Sequence, residues 1–409
     1  MPLARADLER LDRDDPLAPF RDEFALPPGV YLDGNSLGAL PRATASRVAA
    51  VVEREWGGGL IGSWNDAGWL GLPLAVGEKI ARLLGAAPGT VVAADSTSVN
   101  VFKLLAVALG LRPERRVILA ERGDFPTDAY VAEGLASLLG GGHALRLVEP
   151  GGIGAALGPD VAVVLLAHVN YRTGAMHDMA AVTAEAHAAG ALALWDLAHS
   201  AGAVPVALEA AGADLAVGCG YKFLNGGPGA PAFLYVAERL QAEARFPITG
   251  WLGHAEPFGF HERFAPAPGI ARGIVGTPSI LALSALEVGV DIALRAPMAE
   301  VRAKSLRQSA LLETLVAERC PALAPAGPPP GAARGSQVSF RHPEAYAIMQ
   351  ALIARGVTGD VRAPDILRFG ITPLYLRHAD LWDAAETLRE VMATEAWRDP
   401  RFRTRRAVT

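Results

Sequence analysis

Along the middle of the chain, short unbroken apolar runs alternate with stretches of helical spacing. Val117-Ile118-Leu119-Ala120, Val161 to Ala167 and Ala191 to Trp195 carry no polar interruption, the pattern of strands buried on both faces. Between the last two, Met179 to Ala189 is alanine-rich at helical spacing and closes on Gly190. Strand, helix, strand at this spacing predicts a parallel sheet with right-handed crossovers. Asp214-Leu215-Ala216-Val217 and Ala232-Phe233-Leu234-Tyr235-Val236 add two more strands.

Further on the pattern changes. Leu281 to Val316 reads as largely helical, and one long helix here would link two domains. Pro321 to Gly331, rich in proline, glycine and alanine, reads as a linker or surface loop. A strand at Ser336 to Phe340, a helix at Pro343 to Arg355, strands around Val357 to Phe369 and a helix near Leu381 to Thr394 complete a compact α+β unit. The 409 residues exceed what one small core organises, so a large domain with a smaller one is expected.

Composition narrows the function classes. The net charge of −5 argues against a general nucleic-acid binder, and the basic tail of Arg401, Arg403, Arg405 and Arg406 reads as a solvated surface. Cys219 and Cys320 are the only cysteines, which excludes a disulfide scaffold and a cysteine-rich zinc site. His168 and His177 lack ligand spacing with a third partner, so no metal is expected. Met1 to Asp15 alternates arginine with acids and lacks the apolar centre of a signal peptide, and no apolar run approaches a membrane span. The expectation is a soluble, cytoplasmic protein with no membrane partner.

Two groups carry the chemical signal. Asp196 ends an apolar run, at the predicted carboxyl end of a parallel strand where open α/β sheets bind ligands. It could equally cap the following turn, and His199 lies three residues on. Lys222 follows 26 residues after Asp196. Glycines at 218, 220, 226, 227 and 229 let backbone and a flat cofactor approach it closely. Pyridoxal phosphate needs both groups, an amine to condense with its aldehyde and a carboxylate to keep its ring nitrogen protonated.

Other segments supply the remaining parts. Asp95-Ser96-Thr97-Ser98 runs into the helical stretch Val101 to Leu109, and such an N-terminus is either an anion site or a plain cap. Phe125-Pro126-Thr127-Asp128 could place an aromatic over a pyridine ring, or be a turn with a capping aspartate. Arg368, in Ile366-Leu367-Arg368-Phe369-Gly370, suits bidentate capture of a substrate carboxylate or is an ordinary surface arginine. Trp56, Trp64 and Trp69 cluster in glycine-rich sequence and could wall an aromatic pocket or pack at an interface. There is no Walker motif and no GxGxxG after a strand.

In combination these segments resemble the kynureninases. The resemblance rests on Tyr31-Leu32-Asp33-Gly34-Asn35-Ser36-Leu37-Gly38, Trp195-Asp196-Leu197-Ala198-His199-Ser200-Ala201-Gly202 and Gly220-Tyr221-Lys222-Phe223-Leu224-Asn225-Gly226-Gly227-Pro228-Gly229. Phe125-Pro126-Thr127-Asp128 and Gly250-Trp251-Leu252-Gly253-His254 match in the expected order. It covers the chain from about residue 25 onward. It implies the fold-type I architecture of pyridoxal-phosphate enzymes, an α/β large domain with a central, mostly parallel seven-stranded sheet and a smaller α+β C-terminal domain. The implied divisions are an N-terminal segment 1–50 packing with the small domain, a large cofactor-binding domain 51–295 and a small domain 296–409.

The implied reaction is hydrolytic Cβ–Cγ cleavage of L-kynurenine to anthranilate and L-alanine, with 3-hydroxykynurenine a poorer substrate. The implied catalytic residues are Lys222, which condenses with the aldehyde, Asp196 at the ring nitrogen and Tyr221 as proton relay. Thr97, Ser98, Phe125, Asp128 and His199 would contact pyridoxal phosphate with them. Trp251 and Thr277 would reach the phosphate across a homodimer interface. Asn35, Ser36, Trp64 and Arg368 would meet the substrate, Arg368 at its α-carboxylate. Animal relatives that prefer the 3-hydroxylated substrate carry asparagine at the position of Thr277 and a histidine near Ser63 and Trp64. The threonine and tryptophan here look like the bacterial pattern. A class V aminotransferase would share Asp196 and Lys222 and is the alternative. A cysteine desulfurase would need a mobile nucleophilic cysteine that neither Cys219 nor Cys320 resembles.

Overall fold

A computed structural model describes residues 3–406. The outermost positions of the segments 1–50 and 296–409 lie outside the described residues. The unbroken apolar runs form a seven-stranded sheet in the order Val91–Ala93, Phe233–Val236, Leu215–Gly218, Leu192–Asp196, Val161–Ala167, Val117–Glu121, Ala144–Val148. Phe233–Val236 runs antiparallel to both neighbours, and the other pairings are parallel. Every residue of the three strands from Val161–Ala167 to Leu215–Gly218 is buried, as a sheet covered on both faces requires. Helices Leu72–Leu83 and Ile280–Arg295 cover one face and Thr97–Leu111 the other. Each fully buried aliphatic side chain in these layers contributes roughly 1.5–3 kcal/mol. Trp195 is fully buried, and its indole N–H donates to Thr183 at 3.1 Å, so even this bulky residue leaves no polar atom unmatched.

The long helix expected over 281–316 is two helices, Ile280–Arg295 and Met298–Arg319. Pro297 separates them, since a proline nitrogen cannot donate back into the preceding turn. The proline-rich stretch 321–331 carries a two-residue edge strand, Ala324–Pro325. With Gln337–Arg341, Ile366–Gly370 and Asp360–Arg362 it makes a four-stranded antiparallel sheet. Helices Met298–Arg319, Ala345–Ile353 and His378–Ala393 pack with this sheet around a second core. The last helix starts three residues before the expected Leu381, because Asp12 accepts from the backbone N–H groups of His378 and Ala379 and so satisfies its first turn.

The N-terminal segment is tied to both units. Val30–Tyr31 pairs in parallel with Val357–Thr358, and Leu8 packs against Leu315 and Ala385. Gly38 donates its N–H to the Tyr221 carbonyl at 2.8 Å. A Cβ on Gly38 would lie 2.2 Å from the Lys222 carbonyl oxygen, and one on Gly289 would lie 2.0 Å from that of Leu224. The lysine loop is therefore gripped from two sides by backbone, at a distance that only glycine permits. No helix among the described residues is long and apolar enough to cross a membrane. The arginines of the C-terminal tail are exposed, and Arg405 lies over the Tyr346 ring.

Candidate active site

The parallel strands share one carboxyl edge, and the loops leaving that edge converge. Leu192–Asp196 ends on Asp196 itself, which is buried. One Asp196 oxygen accepts from the Ala198 N–H at 2.8 Å, so the residue caps its own turn and also faces the site. Thr97 and Ser98 open the 15-residue helix Thr97–Leu111, whose cap Ser96 accepts from Val99 N–H. The loop before that helix is held by Lys103, which is fully buried and bonds Asp95 and the Gly273 carbonyl. Asp95 takes a φ of 53°, a conformation costing about 1–2 kcal/mol that this anchor sustains.

Phe125 precedes the helix Pro126–Leu139, with Pro126 at its first position and Asp128 in its first turn. Its ring stands edge-on to Tyr171 at 5.3 Å between centroids. Lys222 Nζ lies 3.0 Å from His199 Nε2, 6.0 Å from the Phe125 centroid and 5.8 Å from that of Tyr221. Thr97, Ser98, Phe125, Asp128, Asp196, His199, Tyr221 and Lys222 line a single cavity, together with Tyr171.

The electrostatics of this cavity are unbalanced. Burial pushes the carboxyls of both Asp128 and Asp196 up, Asp128 much further because Asp196 and Asp124 face it; Lys222 pulls Asp196 back. Asp124 is itself pushed up to about 6 by burial. Burial, reinforced by Lys222, holds His199 well below the ordinary histidine range, so its ring is neutral and can accept from the lysine. Asp128 Oδ2 and His199 Nδ1 are buried with no hydrogen-bond partner among the described residues. A buried carboxylate pair beside orphaned polar atoms is matched by a cationic, hydrogen-bonding ring, which is what a protonated pyridine presents. Hydroxyls at a helix N-terminus suit a phosphate. The donor set therefore fits pyridoxal phosphate. Burial also raises the Tyr221 phenol, which stays protonated.

Arg368 lies on the small domain's Ile366–Gly370 strand and is fully buried. It donates to the Tyr171 carbonyl, to Ser36 Oγ and to Asp360 Oδ2, each at 2.7 Å. Burial, with Arg362 nearby, pulls it down to about 10, so it remains a cation at neutral pH. Ser36 thus braces the arginine. Asn35 is fully buried beneath Gly370 and donates to Gln337 at 3.3 Å. Trp64, Trp251 and Thr277 do not line the Lys222 cavity of their own chain. Trp64 packs edge-on to Trp69, which bonds Glu55; Trp251 is exposed beside Phe258; Thr277 borders a separate cavity with Asp95.

Sequence reasoning missed Tyr171, Asp360, Arg362 and Asp33. Tyr171 had a legible signal, since it follows Val161–Ala167 at the same carboxyl edge as Asp196. Both cysteines are buried, and burial raises their thiols, Cys320 to about 11, the opposite of what a nucleophilic desulfurase cysteine needs.

Burial pushes Asp33 up to about 7, with Asp360 adding to it and Ser36, Arg368 and Arg362 holding it back. The folded chain therefore binds this proton more tightly than the unfolded chain, where the ordinary value is about 3.9. Its contribution to stability is full below about pH 4 and is lost as pH rises through about 7. In cofactor-free protein, Asp33→Asn should flatten the fall in Tm between about pH 5 and 8. An unchanged fall would show that Asp33 does not titrate there.

The chain is similar to known proteins along nearly its whole length. The kynureninase C-terminal domain family matches residues 301–388. The chain is 54% identical over 418 residues to a kynureninase of Burkholderia pseudomallei strain 1106a, covering 99% of each. It is 52% identical over 413 residues to a kynureninase of Pseudomonas fluorescens, again covering 99% of each. Among solved structures it is similar to a C-DES variant with glycine linked to its PLP cofactor, at a TM-score of 0.78 and 19% identity over 90% of this chain and 98% of that one. It is also similar to the cysteine desulfurase CsdA of Escherichia coli, at a TM-score of 0.76 and 20% identity over 92% and 98%. At such identities the structures speak for the fold alone, that of the fold-type I enzymes, while full-length relatives disfavour the aminotransferase alternative. At 54% identity to a kynureninase over 99% of both chains, this protein belongs to the kynureninase family.

Proposed function

We propose that the Lys222 cavity and Arg368 together form the site where L-kynurenine is hydrolysed to anthranilate and L-alanine. The family membership establishes a pyridoxal-phosphate hydrolase acting on carbon–carbon bonds. One observation carries the assignment of residues. Tyr171 walls the Lys222 cavity with its ring and holds the buried Arg368 through its carbonyl, so amine chemistry and carboxylate capture meet at one loop.

Pyridoxal phosphate supplies an electron sink for the carbons next to the substrate's amine. In this proposal Asp196 keeps the ring nitrogen protonated, with Asp128 behind it. Thr97 and Ser98 hold the phosphate at the helix N-terminus, and Phe125 covers the ring face. Arg368 would fix the α-carboxylate and so hold the substrate's Cα in one orientation. Lys222, whose amine would hold the cofactor's aldehyde, would take the substrate's Cα proton. Tyr221 relays the proton of the attacking water. The hydroxide part of that water ends on Cγ, as the anthranilate carboxylate, and a proton ends on Cβ, as the alanine methyl group. Asn35, Ser36 and Trp64 belong to the substrate side, with 3-hydroxykynurenine the poorer fit.

Trp251 and Thr277 complete the phosphate side of a partner's cavity in a homodimer. What supports this is their position outside their own cavity, with Trp251, Phe258 and Phe260 exposed together. A cytoplasmic location fits this metabolic role.

Purified protein should show the visible band of lysine-bound pyridoxal phosphate and convert L-kynurenine to equimolar anthranilate and alanine. Lys222→Ala should lose both. A band without anthranilate would overturn the reaction while keeping the cofactor, and turnover by Lys222→Ala would overturn the lysine's role. Mixing inactive Lys222→Ala with an inactive Thr277 variant should restore about a quarter of the activity if each site uses both chains. No recovery in verified hybrid dimers would assign Thr277 to its own chain.

A further inference from the structure

We propose that Asp360 is the positioning residue of the carboxylate site, clamping Arg368 through Nη2 so that its unpartnered Nε–H is held in place for substrate. This rests on the reading that Arg368 binds the α-carboxylate. Asp360 and Arg368 are direct cross-strand partners on the antiparallel strands Asp360–Arg362 and Ile366–Gly370, so the sheet register itself sets them face to face. Asp360 Oδ2 accepts from Arg368 Nη2 at 2.7 Å and from Ser36 Oγ at 3.1 Å, and it pairs with Arg362 at 2.5 Å. Asp360 Oδ1 accepts from the Val361 N–H at 2.6 Å. With both oxygens committed and its strand paired, Asp360 is fixed and does not swing aside like a mobile competitor.

The arginine's donors divide accordingly. Nη2 serves Ser36 and Asp360, and Nη1 serves the Tyr171 carbonyl. Nε is buried with no partner among the described residues. An unmatched donor on a buried guanidinium is costly unless a ligand meets it. The clamp keeps the planar guanidinium from rotating and leaves Nε–H, its one donor atom without a partner among the described residues, for an incoming carboxylate. Asp360 also separates two like charges. Without it, the like charges of Arg362 and Arg368, which share Ser36 Oγ, would be offset by Asp33, 3.9 Å from Arg368.

The test uses the cofactor-loaded enzyme and three ligands: L-kynurenine, its desamino acid, which keeps the carboxylate but cannot react with the cofactor, and its decarboxylated amine. Asp360→Asn keeps the shape and removes the charge. It should raise KM for L-kynurenine and the calorimetric Kd of the desamino acid by about tenfold, more than it lowers kcat. Binding of the decarboxylated amine should change by less. Added to Arg368→Ala, it should cause little further loss, because the clamp acts only through the arginine. Fully additive losses, an equal effect on the decarboxylated amine, or an unchanged or lowered KM would overturn the proposal, the last by making Asp360 a competitor of the substrate. If Arg368→Ala itself moves neither KM nor the desamino acid's Kd, the arginine reading has failed instead, and the proposal with it. Should Asp360→Asn not fold, Asp360→Glu keeps the charge and shifts the clamp by one methylene. It too should raise KM, and a parental KM would overturn the proposal.

Discussion

The architecture turns on two carboxylates, Asp196 and Asp128, buried side by side where no bulk water can solvate them. Ionised together, they would repel each other in a medium that screens little, so one of them holds a proton or a cation must arrive. Lys222 is near enough to draw Asp196 toward ionisation, yet its amine is turned to His199. A protonated pyridine ring would resolve the conflict, and in the proposed function its pairing with Asp196 would keep the ring in its electron-withdrawing form.

The surrounding fold keeps that arrangement in place. Asp196, Tyr171 and the Asp124–Asp128 turn all leave the same edge of the sheet, so their relative positions follow from strand register. The lysine loop is pinned by the backbone of Gly38 from the N-terminal segment and of Gly289 from a helix. The four-stranded sheet packs on the loop after Val161–Ala167. Gln337 donates to the carbonyls of Asn170 and Tyr171, Ser339 to that of Arg172, and Arg368 to that of Tyr171. The Lys222 cavity and Arg368 are thus joined by loop backbone, a stiffer link than side-chain contact alone.

The central strands were legible because burial on both faces forces unbroken apolar runs, and Asp196 stood out as the acid closing one of them. Lys222 was legible from the glycines around it, whose spacing reflects the close approach of Gly38 and helix backbone to its loop. The break at Pro297 was obscured by the continuous helical spacing on either side. Asp360 carried no signal at all, since its meaning comes from lying opposite Arg368 across a strand pair, and a sequence does not display register. Trp251 and Thr277 were named from resemblance and Trp64 from the tryptophan cluster as well, and a single chain brings none of them to the Lys222 cavity.

In the proposed function, Asp196 holds the cofactor's ring nitrogen in its protonated form. Nitrogen NMR of the enzyme loaded with pyridoxal phosphate labelled at the ring nitrogen reads that proton directly. The account predicts the chemical shift of a pyridinium near neutral pH in the parent protein, moving to that of a neutral pyridine in Asp196→Asn. A neutral pyridine in the parent would contradict it.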